Sequence, residues 1–121
     1  MLAQLQSDKP SYQTQLKMMM LSRPPGTLSE DEAAASLFMS KRTLARKLKQ
    51  ERSGFRKVRD EILSQQTATY LRDSQLSIEA IAALMNYHDS ANFRRAFKRW
   101  FDQSPEQFRQ NVRSQTVHPH D

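Results

Sequence analysis

Apolar residues recur three and four positions apart along almost all of the chain after residue 10, and no apolar/polar alternation is long enough for a strand. The pattern predicts an all-α protein of about seven helices. A first helix is expected over Ser11–Leu21, ended by "SRPPGT", where Pro24 and Pro25 cannot continue it. Ser29 opens a short helix, with Glu32 three places on to complete a capping box and acids throughout the first turn. "SKRTLARKLKQE" follows behind another cap-type serine, and Gly54 separates it from a longer helix over about residues 55–72. Ser77 caps "SIEAIAALM", and "SANFRRAFKRWF" supplies the next helix. The last, "SPEQFRQNV", starts with Pro105 at its first position. Residues 1–10 are expected to be a disordered tail or linker, and residues 113–121 a disordered tail.

The pattern also repeats. Leu28, Ser29 and Ala34 match Leu76, Ser77 and Ala82, and after a turn one residue longer Leu44, Arg46 and Leu48 match Phe93, Arg95 and Phe97. Each copy is a short Ala/Leu helix, a tight turn and a basic amphipathic helix, which is the plan of a helix-turn-helix. On a helical wheel Phe97, Trp100 and Phe101 fall within about 80° of Phe93, while Arg94, Arg95, Lys98 and Arg99 lie opposite. In the first copy Leu44 and Leu48 share one face, and Arg42, Arg46 and Lys49 the other. The predicted organisation is a first helix-turn-helix subdomain at 11–54, a central linking helix at 55–72 and a second subdomain at 73–112.

Charge sharpens this reading. The chain of 121 residues carries a net charge of +6, with 19 Lys and Arg against 13 Asp and Glu. Most of the basic residues lie in two blocks, one from Lys41 to Arg59 and the other at Arg94, Arg95, Lys98 and Arg99. Two basic blocks at matching places in a repeat point to a polyanion. A helix of about 12 residues is slim enough for the major groove, roughly 12 Å wide. The aromatic stripe is read as core, not as a base-stacking platform. No apolar run reaches the roughly 18 residues needed to cross a bilayer. The opening residues do not form a signal peptide. Zero cysteines exclude disulfides and thiolate metal sites, and fit a cytoplasmic location.

The segment "LSIEAIAALMNYHDSANFRRAFKRWFDQSPEQFR" resembles the signature of AraC/XylS-type transcription regulators through Ile81, Ala82, Tyr87, Phe93, Arg95, Phe97, Lys98, Ser104, Pro105, Phe108 and Arg109. "LFMSKRTLARKL" resembles that family's first-unit pattern through Leu37, Met39, Ser40, Arg42, Thr43, Leu44, Arg46 and Leu48. The resemblance implies a monomeric segment that lays two recognition helices, at about residues 40–51 and 90–101, into successive major grooves of double-stranded DNA. Carried over by position, it makes Lys41, Arg42, Ala45, Arg46, Ser90, Ala91, Asn92 and Arg95 candidate base contacts. Ser40, Thr43, Lys49, Arg94, Lys98 and Arg99 become candidate phosphate contacts. It also implies a bacterial, nucleoid-associated regulator acting on promoter or operator DNA, an activator that touches RNA polymerase, with no cofactor. Family members are usually longer, so the chain is read as the DNA-binding part of an effector-responsive protein, any dimerisation belonging to the full-length chain. Three positions where the family usually has glycine carry Phe38, Asn86 and Asp102. Phe38 implies either a strained first turn or a different one.

Other functions are weaker fits. A non-specific or architectural nucleic-acid binder is the main alternative, but it does not need two unlike recognition helices, and "SKRTLARK" differs from "SANFRRAFK". A protein–protein adaptor predicts no salt-sensitive DNA affinity, and a membrane-surface helix leaves the repeat unexplained. An enzyme is not expected. His88 falls in a turn, His118 and His120 bracket Pro119 in the tail, and no glycine-rich loop could cradle a phosphate. No metal site is expected.

Overall fold

The structure is a computed structural model that describes residues 9–117. Among them are seven helices: α1 (Tyr12–Leu21), α2 (Glu30–Ser36), α3 (Lys41–Gln50), α4 (Phe55–Asp73), α5 (Ile78–Leu84), α6 (Ser90–Phe101) and α7 (Pro105–Val117). The chain divides into two compact units, the first ending at Ile62 and the second beginning at Leu63. The boundary falls inside α4, which the sequence set apart as a segment of its own. Val58 and Ile62 are buried in the core of the first unit, Leu63 and Leu71 in that of the second.

Local signals set the helix starts. Ser29 and Glu32 form the expected capping box, the Ser29 N–H donating to Glu32 Oε1 at 2.9 Å and the Glu32 N–H to Ser29 Oγ at 3.0 Å. Ser11, Ser40, Ser77 and Ser104 each accept from the backbone N–H three residues on. The start of α1 has a second, distant support. Both carboxylate oxygens of Glu51 accept its first two N–H groups, from Tyr12 and Gln13, at 2.9 Å each.

The repeat extends to individual hydrogen bonds. After α2 the N–H of Phe38 donates to Ala35 O and that of Met39 to Ala34 O; after α5 the N–H of Asn86 donates to Ala83 O and that of Tyr87 to Ala82 O, all at 3.0 Å. Both turns are Schellman motifs, which need a left-handed residue just past the helix. That residue is Phe38 at φ 59° and Asn86 at φ 66°; Asp102 after α6 is also left-handed, at φ 58°. All three positions read as displaced glycines are therefore left-handed. At residue 38 the strained turn is the one adopted.

In the first unit Leu44 and Leu48 of α3 pack with Leu16 of α1 and with Ala33 and Ala34 of α2, all buried. The alanines let α2 and α3 cross closely. In the second unit Phe93 and Phe97 are fully buried, with Trp100 and Phe101 half-buried beside them. Phe97 stacks edge-on against Phe108 of α7 with ring centroids 5.5 Å apart, and Tyr87 meets Phe93 in the same way at 5.5 Å. The stripe is core.

One boundary is corrected. Residues 113–121 were expected to be a tail, but α7 continues to Val117. Arg113 explains the extension: its guanidinium donates to Ser74 O just beyond α4, and tying this turn down favours continued helix. The rest of that expected tail, with His118 and His120, and residues 1–8 of the other lie outside the described residues.

Candidate nucleic-acid interface

On α3 the buried face holds Leu44 and Leu48, so the opposite face presents Lys41, Arg42, Ala45, Arg46 and Lys49 to solvent. Their environments differ. Lys41 Nζ lies 3.9 Å from Asp31, and Lys47, on the flank, sits 5.7 Å over the Tyr12 ring. Among the described residues no carboxylate pairs with Arg42, Arg46 or Lys49, so their charge is available to a ligand. The Ser40 hydroxyl accepts from the Thr43 N–H at 3.1 Å and lies 3.0 Å from Thr43 Oγ1. Both hydroxyls are thus engaged in the cap at the helix start.

On α6 the N-cap is Asp89, whose carboxylate accepts from the Asn92 N–H at 2.8 Å. Ala91, Asn92, Arg95, Lys98 and Arg99 are exposed and Ser90 is half-buried. Arg95 donates through Nη2 to Asn92 Oδ1. Two of the expected base readers therefore hold one another.

Arg94 departs from its expected role. Its guanidinium is gripped by Glu106 of α7 and by Glu79 of α5, the latter at 3.3 Å. The Glu106 hydrogen bond, aided by both carboxylate charges, pushes Arg94 above the ordinary guanidinium value, and the same bond holds Glu106 below the ordinary carboxylate value. A cation spent on two carboxylates has little left for a phosphate. Arg94 ties α5 and α7 to α6, so a phosphate contact from it would compete with both carboxylates.

Sequence reading also missed how α4 ends. The Arg109 guanidinium donates to Leu71 O at 3.0 Å, Ser74 O at 3.2 Å and Tyr70 O at 3.4 Å, satisfying carbonyls that a helix end leaves open. Burial, with Arg113 nearby, pulls Arg109 below its ordinary value. Its motif position was visible in the sequence, but nothing local named carbonyls 35 to 39 residues away. Asp89 was a readable signal, a cap-type residue directly before α6.

Among the described residues no helix is long and apolar enough to cross a membrane, and no three His, Cys, Asp or Glu gather to hold a metal ion. His88 is exposed in the turn before α6.

The chain resembles known proteins over most of its length. A family model described as a helix-turn-helix domain matches residues 33–111. The ornithine utilization regulator of Pseudomonas aeruginosa is 33% identical over 97 residues, which is 80% of this chain and 29% of that protein. The transcriptional regulator CdpR from the same organism superposes with a TM-score of 0.78 at 31% identity, over 82% of this chain and 31% of that one. Two further structures share the fold. An AraC-type regulator from Chromobacterium violaceum has a TM-score of 0.75 at 22% identity over 89% and 94% of the two chains. The DNA-binding domain of AdpA, solved with a target DNA, has a TM-score of 0.77 at 19% identity over 93% and 100%. The chain thus spans under a third of the curated relative's length.

Proposed function

The chain belongs to the AraC-type helix-turn-helix family, a family of transcription regulators and not of enzymes, and on that premise we propose that it reads double-stranded promoter or operator DNA. In this reading the exposed faces of α3 and α6 enter successive major grooves on one face of the duplex. The single observation that carries it is the pair of helices with equivalent buried seats and exposed basic faces, Arg42, Arg46 and Lys49 on one and Arg95, Lys98 and Arg99 on the other.

Base contacts fall to Lys41, Arg42, Ala45 and Arg46 in the first unit and to Ser90, Ala91, Asn92 and Arg95 in the second. Arginine can bridge guanine O6 and N7, and the alanine methyls can touch a thymine methyl. Lys49, Lys98 and Arg99, with the helix starts at Ser40 and Thr43, hold the phosphates and set register without reading sequence. The chain is the DNA-binding part of a longer, effector-responsive bacterial regulator. It acts as a monomeric segment at the nucleoid, in the cytoplasm, as an activator that also touches RNA polymerase. AdpA, of the same fold, was solved on DNA, which supports the groove assignment.

Selection of bound duplexes from a random pool at about 150 mM salt tests the reading, since non-specific binding is already weak there. Two unlike elements about one helical turn apart, roughly 10 bp, are expected. Salt-dependent binding with no enriched sequence would instead favour the architectural alternative.

A further inference from the structure

The contact between Arg95 and Asn92 changes what α6 can read. The two residues lie one turn apart on the exposed face, and Arg95 Nη2 donates to Asn92 Oδ1. A guanidinium has only donors, so the partner atom must be the amide oxygen, and the Asn92 Nδ2 group is left facing elsewhere. Asparagine reads adenine by using both amide atoms at once, Oδ1 accepting from N6 and Nδ2 donating to N7. With Oδ1 already accepting from Arg95, an adenine N6 would have to share that oxygen with the guanidinium, which weakens the bidentate contact.

The partner's chemistry matters equally. Arg94, the neighbour in sequence, is held by two carboxylates that offset its charge locally. Arg95 is held by a neutral amide, which orients the guanidinium and leaves its charge intact. The Asn92 backbone is anchored at the helix start, its N–H held by Asp89 Oδ1 at 2.8 Å. The result is a surface dominated by donors: the remaining Arg95 N–H groups beside the Asn92 amide. Such a surface suits the base edge that offers two acceptors in the major groove, guanine O6 and N7.

Building on the groove reading above but refining its assignment of Asn92 as a base contact, we infer that Asn92 is a positioning residue that holds Arg95 for a guanine, and that it does not read an adenine of its own. Orienting the long arginine before binding reduces the freedom lost on contact, so discrimination should depend on both residues together.

The test compares the intact chain with Arg95→Ala, Asn92→Ala, the double variant and Asn92→Asp, measuring affinity on the selected duplex and on duplexes changed at single base pairs. Thermal melts check that each variant folds, as these exposed positions should allow. Arg95→Ala should lose about tenfold of discrimination at one G·C pair. Asn92→Ala should lose discrimination at that same pair, and the double variant should be no worse than Arg95→Ala alone. Asn92→Asp keeps an acceptor for Arg95, so it should retain the guanine preference even as like charge lowers affinity for all DNA. If Asn92→Ala instead relaxed a different, A·T pair, with effects additive to those of Arg95→Ala, the inference would be overturned and the groove reading would stand. If Arg95→Ala left every base preference unchanged, the groove reading of α6 would fall, and the inference with it.

Discussion

Phe38 holds a left-handed backbone at φ 59° while the residue is 97% exposed, so the ring gains almost no burial in return for the strain. A left-handed L-residue costs about 1–2 kcal/mol, and glycine's greater chain entropy offsets about 0.5–1 of that. Phe38→Gly should therefore stabilise the protein by roughly 0.5–1 kcal/mol in urea unfolding with an unchanged slope. Phe38→Ala, which keeps a Cβ, should give no such gain; an equal gain would place the effect in the ring and not the backbone. Asn86→Gly should gain less, because asparagine tolerates this conformation. Thr67 presents the opposite case. It is fully buried in α4 and its hydroxyl has no hydrogen-bond partner among the described residues. Valine has the same shape without the polar atom, so Thr67→Val should stabilise by about 1 kcal/mol. A loss of stability on the same unfolding curve would mean that the hydroxyl is satisfied in solution.

At the scale of elements, long-range partners do what local signals cannot. Ser11 and Glu51 together supply acceptors for the first three N–H groups of α1, which otherwise lack intrahelical partners. Glu51→Ala should cost about 1–2 kcal/mol, in the range of a lost cap with a favourable charge at the helix start, and the unfolding midpoint measures it. In the second unit the Arg94 clamp makes stability pH-dependent. The folded Glu106 carboxyl lies below its ordinary value of 4.5, so its contribution is complete above that pH and drains away as pH falls through the folded value. Its side chain is 54% exposed, which limits the effect to the surface-pair range, about 0.2–1 kcal/mol. Acid titration of stability should show a shallower fall for Arg94→Met than for the parent chain.

The helices, their serine caps and the repeat were legible in the sequence because those signals are local: Ser29 lies three residues from Glu32, and Phe93 four from Phe97. The two exposed basic faces were legible for the same reason, helical period alone placing Arg46 and Arg95 opposite the apolar stripe. What was not legible depends on residues far apart in the chain. Glu79 and Glu106 hold Arg94 from 15 and 12 residues away, and Glu51 reaches back 39 residues to Tyr12. The end of α7 was missed because Arg113 anchors it to Ser74, 39 residues earlier. A wheel marks Arg94 as a surface cation; only the fold reveals the acids beside it.

At the scale of the whole molecule the question is whether both units engage DNA at once. Each phosphate contact made by a Lys or Arg releases condensed counterions, and lowers the slope of log affinity against log salt by about 0.9. Lys49 on α3 and Lys98 on α6 are exposed, and no carboxylate pairs with either among the described residues. If both helices sit on one duplex, Lys49→Ala and Lys98→Ala should each make the slope shallower by about one, and the double variant by about two. Affinity should fall on selected and random duplexes alike, because phosphates carry no sequence. If only one unit engages, one of the two single variants will leave the slope unchanged and the double variant will match the other. The salt titration thus separates a reader that uses both helices from one that uses a single helix, without requiring that the target sequence be known.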